Sequence, residues 1–232
     1  MSKIFILHGW TYQTETWRGF VDILTSRGFD VEILKTPGLT DNTIPSPAGG
    51  WTLDDYVEWL KEKTAAHERV VLIGHSNGGR ISLAFTAKYP EKVSRLILED
   101  SAGIPPTGFR ALKRDVFKVI AKTGRMVTQS ELARKILYKL ARESDYQKAT
   151  PEMRQTMANL GSVDLSIILE KINVPTLIVW GENDTTTPLE NGKLMHEKIQ
   201  GSRMVVIRGA KHSPHITHTR ELADIVEKEL RS

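Results

Sequence analysis

The sequence predicts an α/β protein built on a doubly wound parallel sheet of six strands, with a helical cap inserted after the fourth strand. Three observations lead there. Six short apolar runs, at residues 3–7, 31–34, 70–73, 93–98, 176–180 and 204–207, are separated by helical periods rather than tight turns. That is the pattern of parallel strands joined by crossovers. From Pro105 to about Gly161 the alternation stops and only helical signals remain. Ser76, finally, sits between glycines where a strand passes directly into a helix. The implied division is a core of residues 1–103 and 162–232 with a cap of residues 104–161.

Taken in order, residues 3–7 form the first strand and His8-Gly9-Trp10 the loop leaving its carboxyl end. Residues 14–27 read as a helix with Trp17, Phe20, Val21 and Leu24 inward, closed by Gly28. After the strand at 31–34, residues 36–50 hold three prolines and three glycines and read as a loop. Thr52 can cap a helix running to about Ala66, with Leu53, Val57 and Leu60 inward. Next come the continuous apolar strand Val70-Val71-Leu72-Ile73 and a helix that Pro90 ends. In the helical block, Leu112, Val116, Phe117 and Ile120 mark one amphipathic helix. Leu132, Ile136, Leu137 and Leu140 mark a second, opened by Thr128 and Glu131, and Thr150-Pro151 opens a third. The rhythm resumes with the strand at 176–180 and a helix over 188–199, whose expected capping box is Thr187 with Glu190. A strand at 204–207 and a closing helix over 219–230 complete the chain.

At 232 residues the chain suits one well-buried core with an insertion, and 40% hydrophobic with 26% charged residues is ordinary globular composition. The absence of cysteine removes any disulfide framework, thiolate nucleophile or cysteine metal site. The N-terminal apolar run is too short for a signal peptide or membrane span, so a cytoplasmic protein with no membrane partner is expected. Net charge is +4, and residues 101–166 carry 12 Lys/Arg against 6 Asp/Glu, so the predicted cap is the basic part. Its charges alternate with apolar faces at helical spacing and few aromatics interleave. The reading is a solvated cap rather than a nucleic-acid surface.

Gly74-His75-Ser76-Asn77-Gly78 reads as a nucleophile elbow. Such a turn strains the serine backbone and needs small residues two positions either side, which Gly74 and Gly78 supply. A helix beginning at the serine leaves the N–H of Asn77 as a free donor for a developing oxyanion. A serine hydroxyl also needs a base within reach, and the base needs a third group to fix its tautomer. His212 follows the last strand and Asp184 the strand before it, giving the chain order Ser, Asp, His.

Together these stretches resemble the α/β-hydrolase fold superfamily, in the large group of serine hydrolases with a helical cap. His8-Gly9-Trp10 resembles its oxyanion loop, GHSNGG its elbow, WGENDTTTP its acid loop and GAKHSPH its histidine loop. The resemblance covers nearly the whole length, but the family's first two strands have no counterpart. It implies a minimal six-stranded sheet with residues 31–34 at an edge. It also implies the Trp10 N–H as second oxyanion donor, and Asp184 ahead of Asp100 as triad acid. The implied activity is a carboxylesterase acting through Ser76, His212 and Asp184 on small to medium acyl esters, without cofactor or metal.

Trp10, Phe109 and Tyr138 are the foremost candidates to face substrate, with Phe117, Met126, Leu137, Tyr146 and Met157 as further pocket candidates. His8 and His75 read as structural. The three-residue spacing of His212, His215 and His218 reads as a catalytic histidine followed by a polar loop rather than a metal site. Ser76 argues against relatives that use an aspartate nucleophile. Thioesterase, lactonase, amidase and carbon–carbon bond hydrolase activities stay open, as does a ligand receptor of this fold with little turnover.

Overall fold

The structure is a computed structural model that describes residues 2–11, 13–41, 43–105 and 149–232. Its centre is one six-stranded sheet: β1 (Ile4–Leu7), β2 (Val31–Ile33), β3 (Val70–His75), β4 (Val93–Glu99), β5 (Thr176–Gly181) and β6 (Arg203–Ile207). Every pairing is parallel, in the order β2-β1-β3-β4-β5-β6, so β2 is an edge strand as expected. β1, β3 and β5 are buried at every position. That burial explains why they read as unbroken apolar runs instead of alternating ones.

Side chains alternate between two cores. On one face Ile4, Ile6, Ile73, Ile97, Leu177 and Val179 meet α1 (Arg18–Ser26) and the closing helix, Thr219–Leu230. On the other, Phe5, Leu7, Leu72, Leu96, Ile178 and Trp180 meet α2 (Leu53–Lys63) and α3 (Asn77–Lys88). In α1, Phe20 and Leu24 are fully buried four positions apart. Each such side chain contributes on the order of 1.5–3 kcal/mol of burial. The helix expected from Thr14 begins as a 3-10 turn over Glu15–Trp17. The Thr14 side chain makes no cap there, so the tighter turn carries the start. Thr52 caps α2 in full, its side chain taking the Asp55 N–H while Asp55 reaches back to the Thr52 N–H.

The helix opened by Thr150-Pro151 is α4 (Pro151–Gly161). It is fastened to the core through the 36–51 loop: the Trp51 N–H donates to Thr156 Oγ1 at 2.9 Å, and Asn159 Nδ2 donates to the Gly49 carbonyl at 3.0 Å. The expected helices around Leu112 to Ile120 and Leu132 to Leu140, with most of the 104–161 cap, lie outside the described residues. Among the described residues the remaining α-helices are α5 (Leu189–Lys198), α6 (Pro214–Thr217) and α7 (Thr219–Leu230). Among the described residues no helix is long and apolar enough to cross a membrane.

The strand order reverses at β1: the chain steps outward to β2 and then back across to β3. Such a switch point opens a crevice at the carboxyl ends of the strands. Here it brings the loop after β1 against the turn after β3.

Candidate active site

Ser76 follows β3 directly and is the N-cap of α3, with φ 51 and ψ −117. A non-glycine residue at positive φ is a strained conformation, of order 1–3 kcal/mol, that its surroundings must hold. The close packing is visible at Gly78, where a Cβ would stand 2.0 Å from the Leu7 carbonyl oxygen. At Gly74 a Cβ would stand 2.6 Å from the Gly79 Cα. Gly78 lets the turn sit flush against β1, and Gly74 lets the strand end pack against the first turn of α3.

His212 Nδ1 donates to Asp184 Oδ2 at 2.8 Å, leaving Nε2 to accept from Ser76 Oγ at 3.0 Å. Serine, imidazole and carboxylate thus form one hydrogen-bonded line across three loops. The N–H groups of Trp10 and Asn77 have no acceptor among the described residues, beside the serine and at the positive end of α3. His8 holds the Trp10 loop: its Nδ1 donates to the Gly9 carbonyl at 2.8 Å, and Thr40 Oγ1 donates to its Nε2 at 2.8 Å. Burial lowers the His8 pKa against the opposing pull of the Gly9 carbonyl. The neutral ring that results suits both bonds.

Asp184 is surrounded by donors. Its Oδ1 accepts the N–H groups of Thr186 at 2.7 Å and Thr187 at 3.1 Å, and its Oδ2 faces the Thr187 hydroxyl at 2.7 Å. Burial alone would raise its pKa, but the bonds from His212, Thr187 and Thr186 outweigh it and hold the carboxyl below its usual value. Thr187 was expected to open a capping box with Glu190. Instead Pro188 is the N-cap of α5 with no side-chain cap, and Thr187 Oγ1 stands within donating distance of Asp184 Oδ2, at 2.7 Å, and of the Asp100 carbonyl, at 2.9 Å, its one proton serving one of them at a time. A hydroxyl beside a buried carboxylate gains more there than at a solvated helix end.

Asp100 ends β4 with φ 43 and is fully buried. Its Oδ1 accepts the Gly181 N–H at 2.8 Å, and its Oδ2 has no partner. Burial, then the Glu99 charge, then Asp184 raise its pKa to about 9 against the Gly181 bond. Two carboxyls this close do not both ionise readily. Asp184, with the larger set of donors, takes the charge and Asp100 keeps the proton.

Behind the line lies a second cluster of histidines. Glu99 accepts the His215 backbone N–H at 2.8 Å and its Nδ1–H at 3.0 Å, and Trp17 stacks on the His215 ring at 3.9 Å between centroids. His75 Nε2 donates to the His212 carbonyl at 2.7 Å. Burial, partly opposed by Glu99, takes the His75 pKa down to about 3, so the ring is neutral. The polar loop expected after His212 is therefore corrected: α6 forms there and His215 is 3% exposed, because Glu99 and Trp17 supply it a buried seat. His75, Glu99 and His215 bring possible ligand atoms within 4.8 Å of one another, but those bonds already engage them. His218 stands apart, paired with Thr217.

Two lobes of about 420 Å³ each meet at Ser76 and share Trp10, Met157 and Thr186. One continues past His212, Ser213 and Ile216; the other continues past Asn77, Arg80 and Arg154. Of the expected substrate-facing residues, Trp10 and Met157 line both lobes. Phe109 and Tyr138, with Phe117, Met126, Leu137 and Tyr146, lie outside the described residues. Thr187 and His215 were named from sequence in other roles, and Arg80 and Glu99 were not singled out at all. Only Arg80 carried a readable signal, one helical turn after the serine.

A family model described as alpha/beta hydrolase fold matches residues 4–127, and one described as TAP-like protein matches residues 155–228. The chain is 30% identical to a pimeloyl-[acyl-carrier protein] methyl ester esterase of Aeromonas hydrophila, over 97% of this chain and 93% of the relative. It is 26% identical to a putative 2-succinyl-6-hydroxy-2,4-cyclohexadiene-1-carboxylate synthase of Bacillus subtilis, over 100% and 91%. Among solved structures, a bromoperoxidase from Bacillus anthracis superposes with a TM-score of 0.77 at 22% identity, covering 100% of this chain and 93% of that one. That likeness is one of fold.

Proposed function

The chain belongs to the α/β-hydrolase fold family, as an enzyme of carboxylesterase type acting on esters, and from that premise we propose that Ser76, His212 and Asp184 form its catalytic triad. The observation that carries the reading is the unbroken line from Ser76 Oγ to Asp184 Oδ2, set beside two amides without acceptors. Ser76 Oγ attacks the ester carbon as its proton passes to His212 Nε2. The negative charge that develops on the carbonyl oxygen is received by the N–H groups of Trp10 and Asn77. Asp184 keeps the Nδ1–H tautomer and stabilises the imidazolium. His212 then gives its proton to the departing alcohol, and a water activated by the same nitrogen clears the acyl group from Ser76. Lobes of about 420 Å³ suit small to medium acyl and alcohol groups. A methyl ester, as named for the Aeromonas relative, falls in this class.

Hydrolysis of a p-nitrophenyl ester series of increasing acyl length tests the reading, together with labelling by a fluorophosphonate. The wild type is expected to release p-nitrophenol and to carry the phosphonate on the peptide containing Ser76, and Ser76→Ala to do neither. Release no faster than buffer, or equal in both proteins, would overturn it.

A further inference from the structure

Arg80 lies one turn after Ser76 on α3 and lines the lobe that runs away from His212. Side chains on a helix lean toward its N-terminus, which for Arg80 is the end that holds Ser76. No carboxylate pairs with Arg80 among the described residues, and its Nε is buried without an acceptor. Two other buried donors without partners, Trp10 Nε1 and Asn77 Nδ2, belong to residues lining the same lobe. Arg154 lines it from α4. Arg80 is half-buried, and buried donors left without an acceptor, as its Nε is, are costly unless something accepts from them. Burial lowers the Arg80 pKa only to about 10, so the group is charged at neutral pH.

The chemistry at Ser76 says which end of the ester meets Arg80. His212 must hand its proton to the leaving alcohol, so the alcohol occupies the lobe that His212 lines. The acyl chain then runs into the other lobe. We propose that Arg80 binds a carboxylate at the far end of the acyl chain, so that the preferred substrate is a monoester of a short dicarboxylic acid. Arginine's planar fork matches a carboxylate with two parallel bonds, and the indole and amide donors complete an acceptor-rich seat. The distance from Ser76 to Arg80 along the helix, about 6 Å, sets a spacer of roughly three to five carbons. This inference rests on the esterase reading for the direction of the chain, but the anion seat can be tested by itself.

The test compares the mono-p-nitrophenyl ester of glutaric or adipic acid with the p-nitrophenyl ester of a neutral acid of the same length. The wild type is expected to favour the charged ester at least tenfold in kcat/KM. Arg80→Met should bring that ratio to about one, chiefly through KM, and Arg80→Lys should restore part of it. Independently of turnover, free glutarate should raise the melting temperature of the wild type and not that of Arg80→Met. A ratio near one in the wild type, or a ratio unchanged in Arg80→Met, overturns the proposal. If the wild type hydrolyses neither ester, the esterase reading fails alone provided glutarate still stabilises it through Arg80. Stabilisation absent, or equal in both proteins, overturns the carboxylate seat as well.

Discussion

Asp184→Asn is expected to lower kcat on the order of 10⁴-fold, while Asp100→Asn stays within about tenfold of wild type. Both carboxyls stand beside His212, yet the structure gives them opposite charge states. Three donors besides His212 surround Asp184, and only the Gly181 amide serves Asp100. An asparagine at 184 would turn an N–H toward Nδ1 and favour the wrong tautomer. An asparagine at 100 keeps the acceptor for Gly181 and presents N–H where Asp100 holds its proton. Measuring kcat for both variants settles the assignment, and a larger loss in Asp100→Asn would refute it.

Stability gives the same pair a second readout. The folded Asp100 keeps its proton up to about 9, whereas an unfolded aspartate releases it near 3.8. The folded state therefore binds the extra proton across that window, and wild-type stability falls as pH rises through it, by up to about 1.4 kcal/mol per unit. Asp100→Asn lacks that penalty. Relative to wild type it is expected to gain about 2 kcal/mol or more in urea unfolding between pH 5 and pH 8. A difference that does not change with pH would show that Asp100 is ionised in the native protein.

Glu99→Ala is expected to cost on the order of 3–5 kcal/mol and to reduce activity as well. Removing the carboxylate orphans two buried donors of His215 at once, its backbone N–H and its Nδ1–H. Burial alone would raise the Glu99 pKa, but the His215 charge and bonds reverse the sign and leave it lowered. Its contribution is thus present above the ordinary value of 4.5 and fades as pH falls through the folded value. Because α6 follows the His212 loop directly, loosening His215 also loosens His212. Urea midpoints at neutral pH decide the matter: a loss under about 1 kcal/mol would mean that the cluster carries little.

What could be read from the residues divides by how far apart the partners lie. The inner strands β1, β3 and β5 were legible because each is buried at every position and shows an unbroken apolar run. That Ser76, Asp184 and His212 stand just after the ends of β3, β5 and β6 was legible because each loop has its own local pattern. Thr187 was misread because a threonine three residues before a glutamate is also a helix-capping pattern, and only the folded sheet brings Asp100 and Asp184 to its hydroxyl. His215 was misread because its partner Glu99 is 116 residues away, and nothing local marks the pair. Asp100 could be placed at a strand end from sequence, but its protonation depends on how many donors each carboxyl meets.

The reversal of strand order at β1 also sets when the molecule becomes competent. The line from Ser76 to His212 closes a span of 136 residues and waits for the last two strands to dock. Loop closure on that scale is slow compared with forming any one helix or the contact between β1 and β3. Helical signal should return early in refolding, the elbow should assemble with its two neighbouring strands, and turnover should return last. Catalysis in this chain is thereby a clock for the completion of its sheet.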